Sequence, residues 1–137
     1  GHAAFHTTLQ TPVAAAGQAR LGQDLFAGPK LSMIDGRGAI WSPKSTDPAG
    51  LRGYTLGHQV TEPYDFAGAL RVAAREFMPD VFIVLGPGST LGGAVAQSLL
   101  AANWRGMGSK SDFKAAQNSQ PRIASMGIED QRKWVTG

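Results

Sequence analysis

The chain contains no cysteine. That absence removes disulfides, thiolate metal sites and a cysteine nucleophile, and it fits a reducing compartment. Long apolar runs are lacking too. The longest, around Val81 to Leu85, falls far short of the roughly 20 residues a membrane-spanning helix needs. No charged, apolar-core leader opens the sequence, so the expectation is a cytoplasmic protein with no membrane partner. Charge is nearly balanced: 13 Lys and Arg against 10 Asp and Glu give +3. Six of the cations fall late, at Arg105, Lys110, Lys114, Arg122, Arg132 and Lys133. They lack the dense spacing and interleaved aromatics of a nucleic-acid stripe, so no nucleic-acid partner is expected. An ordinary solvated face explains them, and such a face also suits steering of an acidic or phosphate-bearing partner.

What is present is enough apolar residue, 42% of 137, to bury a core. Gly1-His2 reads as a remnant of an expression tag and carries no functional weight. Thr11-Pro12 reads as an N-cap with proline at the first helical position, and Val13, Gly17, Leu21 and Leu25 predict one helix face, ended by Gly28-Pro29. Leu31 to Ile34 reads as a short strand, stopped by the turn sequence Asp35-Gly36-Arg37-Gly38. Asp47-Pro48 repeats the cap-plus-proline signal for a helix toward His58. Asp65 can cap another, with Phe66, Leu70, Ala73 and Phe77 on one side, broken at Pro79-Asp80.

Val81 to Leu85 is short, β-branched and apolar on both faces, the composition of a central parallel strand with helices on each side. Gly86-Pro87-Gly88 then turns the chain into a helix through Leu91, Val95 and Leu99. Residues Arg105 to Gln120 read as a polar loop with one short helix, followed by a small strand at Ile123 to Met126 and a helical turn or two from Ile128 to Val135. Alternating helices and strands make the fold class α/β. About three strands form a thin sheet, so partner strands are expected elsewhere. Phe66, Leu70, Val84 and Leu91 are expected in the core.

Two segments could carry chemistry. Glycines at Gly86 and Gly88 before a helix N-terminus suit an anion. The stretch lacks the Gly-x-Gly-x-x-Gly spacing and a Walker lysine, however, and Pro87 removes an amide donor. A tight turn buttressing a neighbouring loop is the competing explanation. The other segment is Ala4-Phe5-His6-Thr7. One His beside one Phe is commonly a packed or surface histidine, and a general base needs both a nucleophile and an orienting acceptor. No Gly-x-Ser-x-Gly elbow occurs, and Ser89, Ser98, Ser109 and Ser111 sit in other contexts.

Order along the chain adds a resemblance. Phe5-His6-Thr7 is followed by Leu9 and a helix, then by Leu31 to Asp35, His58-Gln59-Val60, Pro63, Phe66 and a helix. Leu85-Gly86-Pro87-Gly88 with Leu91 comes next. This succession resembles the C-terminal part of malonyl-CoA:acyl carrier protein transacylases and polyketide-synthase acyltransferase domains, from Phe5 to about Leu99. Each motif is weak singly; their order is fairly specific. Residues 105–137 form a less well matched extension, onto which no role is carried.

The resemblance implies an α/β-hydrolase-like acyltransferase domain, with residues 1–137 its C-terminal portion and its mostly parallel sheet incomplete alone. His6 would be the general base of a serine-histidine pair. The main-chain carbonyl of Gln59 would orient its imidazole, and Phe5 would select malonyl over branched acyl groups. The reaction would move malonyl from malonyl-CoA to the phosphopantetheine thiol of acyl carrier protein through an acyl-serine, in fatty-acid or polyketide synthesis, with no bound cofactor and no metal. The family's nucleophilic serine, its carboxylate-binding arginine and its oxyanion glutamine have no counterpart here. The expected partners are therefore a serine-bearing segment or second chain, the acyl carrier protein and a CoA thioester, with the chain alone inactive. A non-catalytic α/β module binding a phosphate-bearing ligand or carrier protein is the rival expectation.

Overall fold

The computed structural model describes residues 4–86 and 88–137. Two compact units divide the chain, Gly1–Ala69 and Leu70–Gly137.

In the first unit, a 3-10 turn at Thr8–Gln10 leads into α1 (Thr11–Arg20). The N-cap is Gln10 rather than the expected Thr11, whose hydroxyl is already donated back to the Thr8 carbonyl at 2.6 Å. The expected face of Val13, Gly17, Leu21 and Leu25 is also corrected. α1 stops at Arg20, Leu21 is extended, and Gln23–Leu25 is a separate 3-10 turn. Burial falls on Ala14, while Val13 and Leu25 are 58% and 63% exposed. Gly17 faces Leu56, whose Cδ2 would lie at an ordinary van der Waals distance of 3.7 Å from a Cβ built there. The Arg52 guanidinium satisfies the end of α1, donating to the carbonyls of Gln18 and Leu21 at 2.6 and 2.7 Å, groups a helix terminus leaves without partners.

β1 (Met33–Ile34) is not an isolated strand but half of an antiparallel hairpin with β2 (Ile40–Trp41), in register Met33↔Trp41 and Ile34↔Ile40. The loop that reads as a strand stop is the hairpin turn. Gly38 takes the left-handed conformation at φ 78°, as a three-residue hairpin loop requires. The Asp35 carboxylate accepts the amides of Arg37 and Ala39 at 2.8 and 3.1 Å. It also accepts from Trp41 Nε1 and the Arg37 guanidinium, so this buried acid has a donor on every side. The Arg37 guanidinium also lies 4.5 Å from the Tyr54 ring centroid.

Asp47 caps α2 (Pro48–Gly53) through the amides of Ala49 and Gly50, each at 3.0 Å, as its sequence signal requires. The helix continues through a π-helical turn, Tyr54–His58, into α3 (Gln59–Thr61). Asp65 then caps α4 (Phe66–Val72) through the Gly68 amide at 2.8 Å. The unit boundary falls within α4.

In the second unit α4 passes into a π turn, Ala73–Phe77, and Met78 closes it in the left-handed conformation. β3 (Phe82–Val84) pairs in parallel with β4 (Ile123–Ser125), in register Phe82↔Ile123, Ile83↔Ala124 and Val84↔Ser125. The crossover contains α5 (Leu91–Ala101) and α6 (Lys110–Ser119). The chain is thus mixed α/β with a small parallel sheet. The expectation of about three mostly parallel strands is corrected: the described residues hold one antiparallel and one parallel pair. β3 is not covered on both faces either. Val84 is buried, but Ile83 and Leu85 are 45% and 81% exposed.

The core here consists of Ala74, Val84, Val95, Leu99, Trp104, Met107, Ile123 and Ala124. Phe82 meets Trp104 edge-on at 5.3 Å. Of the expected core residues only Val84 is buried; Phe66 and Leu70 are half-buried and Leu91 is exposed. The polar stretch read as a loop with one short helix holds the ten-residue α6. Ser109 and Asp112 cap it reciprocally: the Ser109 hydroxyl accepts the Asp112 amide at 3.1 Å, and the Asp112 carboxylate accepts the Gly108 amide at 3.2 Å. α7 (Glu129–Thr136) ends the chain.

Candidate functional site around His6

The turn from Ala4 to Thr7 holds His6 in the left-handed region at φ 56°. The Thr7 hydroxyl fastens it by donating to the Ala4 carbonyl at 2.8 Å. Histidine is one of the few non-glycine residues enriched there, and such backbone clusters at functional sites. The half-buried imidazole places Nδ1 2.5 Å from the Gln59 carbonyl oxygen, 53 residues away in sequence. A carbonyl only accepts, so Nδ1 carries a proton, and in the neutral imidazole Nε2 then presents the lone pair.

Gln59 has a carbonyl to offer because of a proline four residues on. In a continuing helix its oxygen would accept from the amide at that position, but Pro63 has none. The neighbouring His58 carbonyl does find its helical donor, the Glu62 amide at 2.9 Å. The helix end therefore leaves the Gln59 carbonyl without its helical donor, and His6 takes it. The Gln59 side chain is incidental to this contact, which is made by backbone.

Tyr64 is a neighbour that no sequence motif singles out. Its ring centroid lies 5.6 Å from that of His6, tilted by 48°. The ring also lies against Gly36, where a Cβ would fall 2.3 Å from Tyr64 Cδ2. Gly36 is held in place by donating its amide to the Tyr54 hydroxyl and accepting the Asp65 amide, both at 2.8 Å. Burial, then the nearby Tyr54 and Asp35, push the Tyr64 phenol above its ordinary pKa, so it stays neutral near pH 7. A glycine inside the hairpin turn and an aromatic after Pro63 are the only sequence signals of this arrangement.

A recess of about 190 Å³ opens beside the imidazole, lined by Phe5, His6, Gln10, Val13, Gln59 and Val60 among others. Phe5 borders it but is 71% exposed. His6, Gln59 and Phe5 thus come together at one place. Among the described residues no group of three His, Cys, Asp or Glu side chains is placed to hold a metal, and no helix is long and apolar enough to cross a membrane.

The glycine turn before α5 is the second segment that the sequence raises. Pro87 lies outside the described residues; Gly86 and Gly88 have φ of 113° and 72°. Gly127 approaches so closely that a Cβ on it would fall 2.0 Å from the Gly88 carbonyl oxygen. The turn is a buttress for the loop after β4. Comparison with protein-family models, curated proteins and solved structures gives no match.

Proposed function

We propose that this chain is part of an acyltransferase of the malonyl-CoA:acyl carrier protein transacylase kind, with an α/β-hydrolase-like domain and His6 as its proton-handling base. One observation carries the reading: the contact of His6 Nδ1 with the Gln59 carbonyl. It fixes the tautomer that leaves Nε2 as acceptor, the state a serine-histidine pair requires. The apolar recess beside the ring supports it further, as a place for a short acyl group.

The chemistry balances without an added redox partner. A serine supplied from outside these 137 residues gives its proton to His6 Nε2 as its oxygen attacks the malonyl thioester carbonyl. The carbon–sulfur bond breaks, and the CoA sulfur leaves with the proton from the imidazolium. The phosphopantetheine thiol of the carrier protein then gives its proton to His6 and attacks the acyl-serine ester. The serine oxygen leaves and recovers the proton.

The test is to sequence the reading frame upstream of Ala3 and express the whole polypeptide. A Gly-His-Ser-x-Gly segment is expected there, together with malonyl transfer from malonyl-CoA to holo acyl carrier protein. His6→Ala should slow that transfer by roughly two to four orders of magnitude, the range for losing a general base. Malonyl transfer by the 137-residue chain alone, or unchanged turnover in the His6→Ala polypeptide, would refute the assignment.

A further inference from the structure

A cavity of about 490 Å³ lies within the unit from Leu70 to Gly137, between the π turn at Ala73–Phe77 and the segment that follows α5. That volume is in the range of small-molecule sites and exceeds that of the recess beside His6. Its backbone is unusual. Among the described residues four that are not glycine have positive φ. One is His6; the other three, Met78, Asn103 and Arg105, at 43°, 49° and 53°, all line this cavity. Such conformations gather at ligand sites.

Trp104 supplies the observation that points to a ligand. It lines the cavity and is 6% exposed. Its ring is held by Phe82, edge-on at 5.3 Å, and by the Arg105 guanidinium, 5.4 Å from the centroid. The indole N–H meets no acceptor among the described residues, although a buried tryptophan usually finds one. Nor is that N–H sealed from solvent, as the partnerless hydroxyls of Thr46 and Ser125 are. It is therefore a donor open to the cavity that its residue lines, left to an acceptor from outside the chain.

Arg75 borders the same cavity, is exposed, and makes no ion pair or side-chain hydrogen bond among the described residues. Arg105, by contrast, is occupied: it donates to the Asp80 carboxylate at 2.6 Å and to the Pro79 carbonyl at 3.1 Å. The cavity thus offers one free guanidinium and one free N–H beside the apolar lining of Ala74, Met78 and Ala102.

We propose that this cavity binds an organic carboxylate with an apolar body. The planar fork of Arg75 holds the two carboxylate oxygens, the Trp104 N–H donates to one of them, and the body lies against Ala74, Met78 and Ala102. A phosphate monoester fits less well, because its second charge would have to displace Asp80 from Arg105. The last carbonyls of α5 oppose an anion, but a helix end carries about half a charge, against a whole one on Arg75. The binding uses no residue of the His6 site.

The probes are benzoate, acetate, benzyl alcohol and phenyl phosphate, titrated into the nitrogen-15-labelled chain at neutral pH. Benzoate should move the Trp104 indole N–H resonance downfield and saturably, with a dissociation constant of about 1 mM or below. The indoles of Trp134 and of Trp41, which already donates to Asp35, should stay in place. Acetate keeps the charge without the body and benzyl alcohol the body without the charge, so each should bind about tenfold more weakly or worse. Arg75→Gln should weaken benzoate about tenfold, the effect of losing a charge-assisted hydrogen bond, with an unchanged melting temperature. Absence of a saturable shift at Trp104, or equal movement of all three indoles, would overturn the proposal. So would acetate, benzyl alcohol or phenyl phosphate binding as tightly as benzoate, or unaltered benzoate affinity in Arg75→Gln.

Discussion

Gly36→Ala isolates the packing that holds the His6 site together. Gly36 is buried, its amide and carbonyl are both engaged, and its φ is not among the positive ones, so alanine fits the backbone itself. The obstacle is Tyr64: the new Cβ would stand 2.3 Å from Cδ2 and 2.7 Å from Cγ and Cε2. Carbon atoms rest at about 3.5–4.0 Å, so the ring must retreat by roughly 1 Å or more. Overpacking of this size costs about 1–3 kcal/mol. Because Cγ is among the clashing atoms, rotating the ring about its own axis gives no relief. Urea unfolding at neutral pH measures the cost, and the Tyr64→Ala background supplies the control. There the obstacle is gone, and Gly36→Ala should be close to neutral, giving a coupling of roughly 1–3 kcal/mol between contacting residues. Equal destabilisation in both backgrounds, or none in the first, would refute the reasoning.

Pro63→Ala returns an amide donor four residues after Gln59, to compete with His6 for the carbonyl. The fraction of His6 with its proton on Nδ1, read from nitrogen-15 shifts, should fall, and an unchanged tautomer would show that the proline is not what keeps the carbonyl open. For Asp35, burial opposes ionisation, but the Arg37 side chain and the amides of Arg37 and Ala39 outweigh it and hold the carboxyl below its ordinary value. The stability this gives is complete above the unfolded-chain value of about 3.9 and is lost as pH falls toward the lower folded value. Asp35→Asn should therefore flatten the acid limb below about pH 4, and parallel limbs in the two proteins would contradict the assignment. Gly127→Ala would place its Cβ 2.0 Å from the Gly88 oxygen, backbone rather than a flexible side-chain tip. A loss of about 1–3 kcal/mol in urea unfolding is expected, and a neutral result would remove the buttress.

Features legible in the sequence are those written by chemistry over a few residues. Asp47 and Asp65 announce their helices because a carboxylate at an N-cap meets amides two and three residues on, and both caps form. Gln59 and His6 meet as the resemblance implies, although composition alone gives no reason for them to do so. Pro63 makes the contact intelligible afterwards: the missing amide is visible in the sequence, but which group would use the carbonyl is not. The misleading signals are equally specific. The four-residue spacing from Val13 to Leu25 imitates a buried helix face, while the buried position is Ala14, which lies outside that spacing. The hairpin is hidden because β1 and β2 have two residues each, too few for alternation to show. Two π turns, at Tyr54–His58 and Ala73–Phe77, also leave no periodic trace.

β3 presents the sharpest difference, and it bears on function. Its apolar residues on both faces match a strand covered from two sides, yet its neighbour among the described residues is β4, and Ile83 and Leu85 stand exposed. Propensity explains why the segment is a strand, but not why the outward positions are apolar, since a solvated face is normally polar. The proposed acyltransferase accounts for both. Its serine has to come from a portion of the protein outside these residues, and in an α/β domain that portion would extend the same sheet and cover the same face. On that reading, exposed Ile83 in β3, exposed Leu85 just beyond it and the absent nucleophile have one cause.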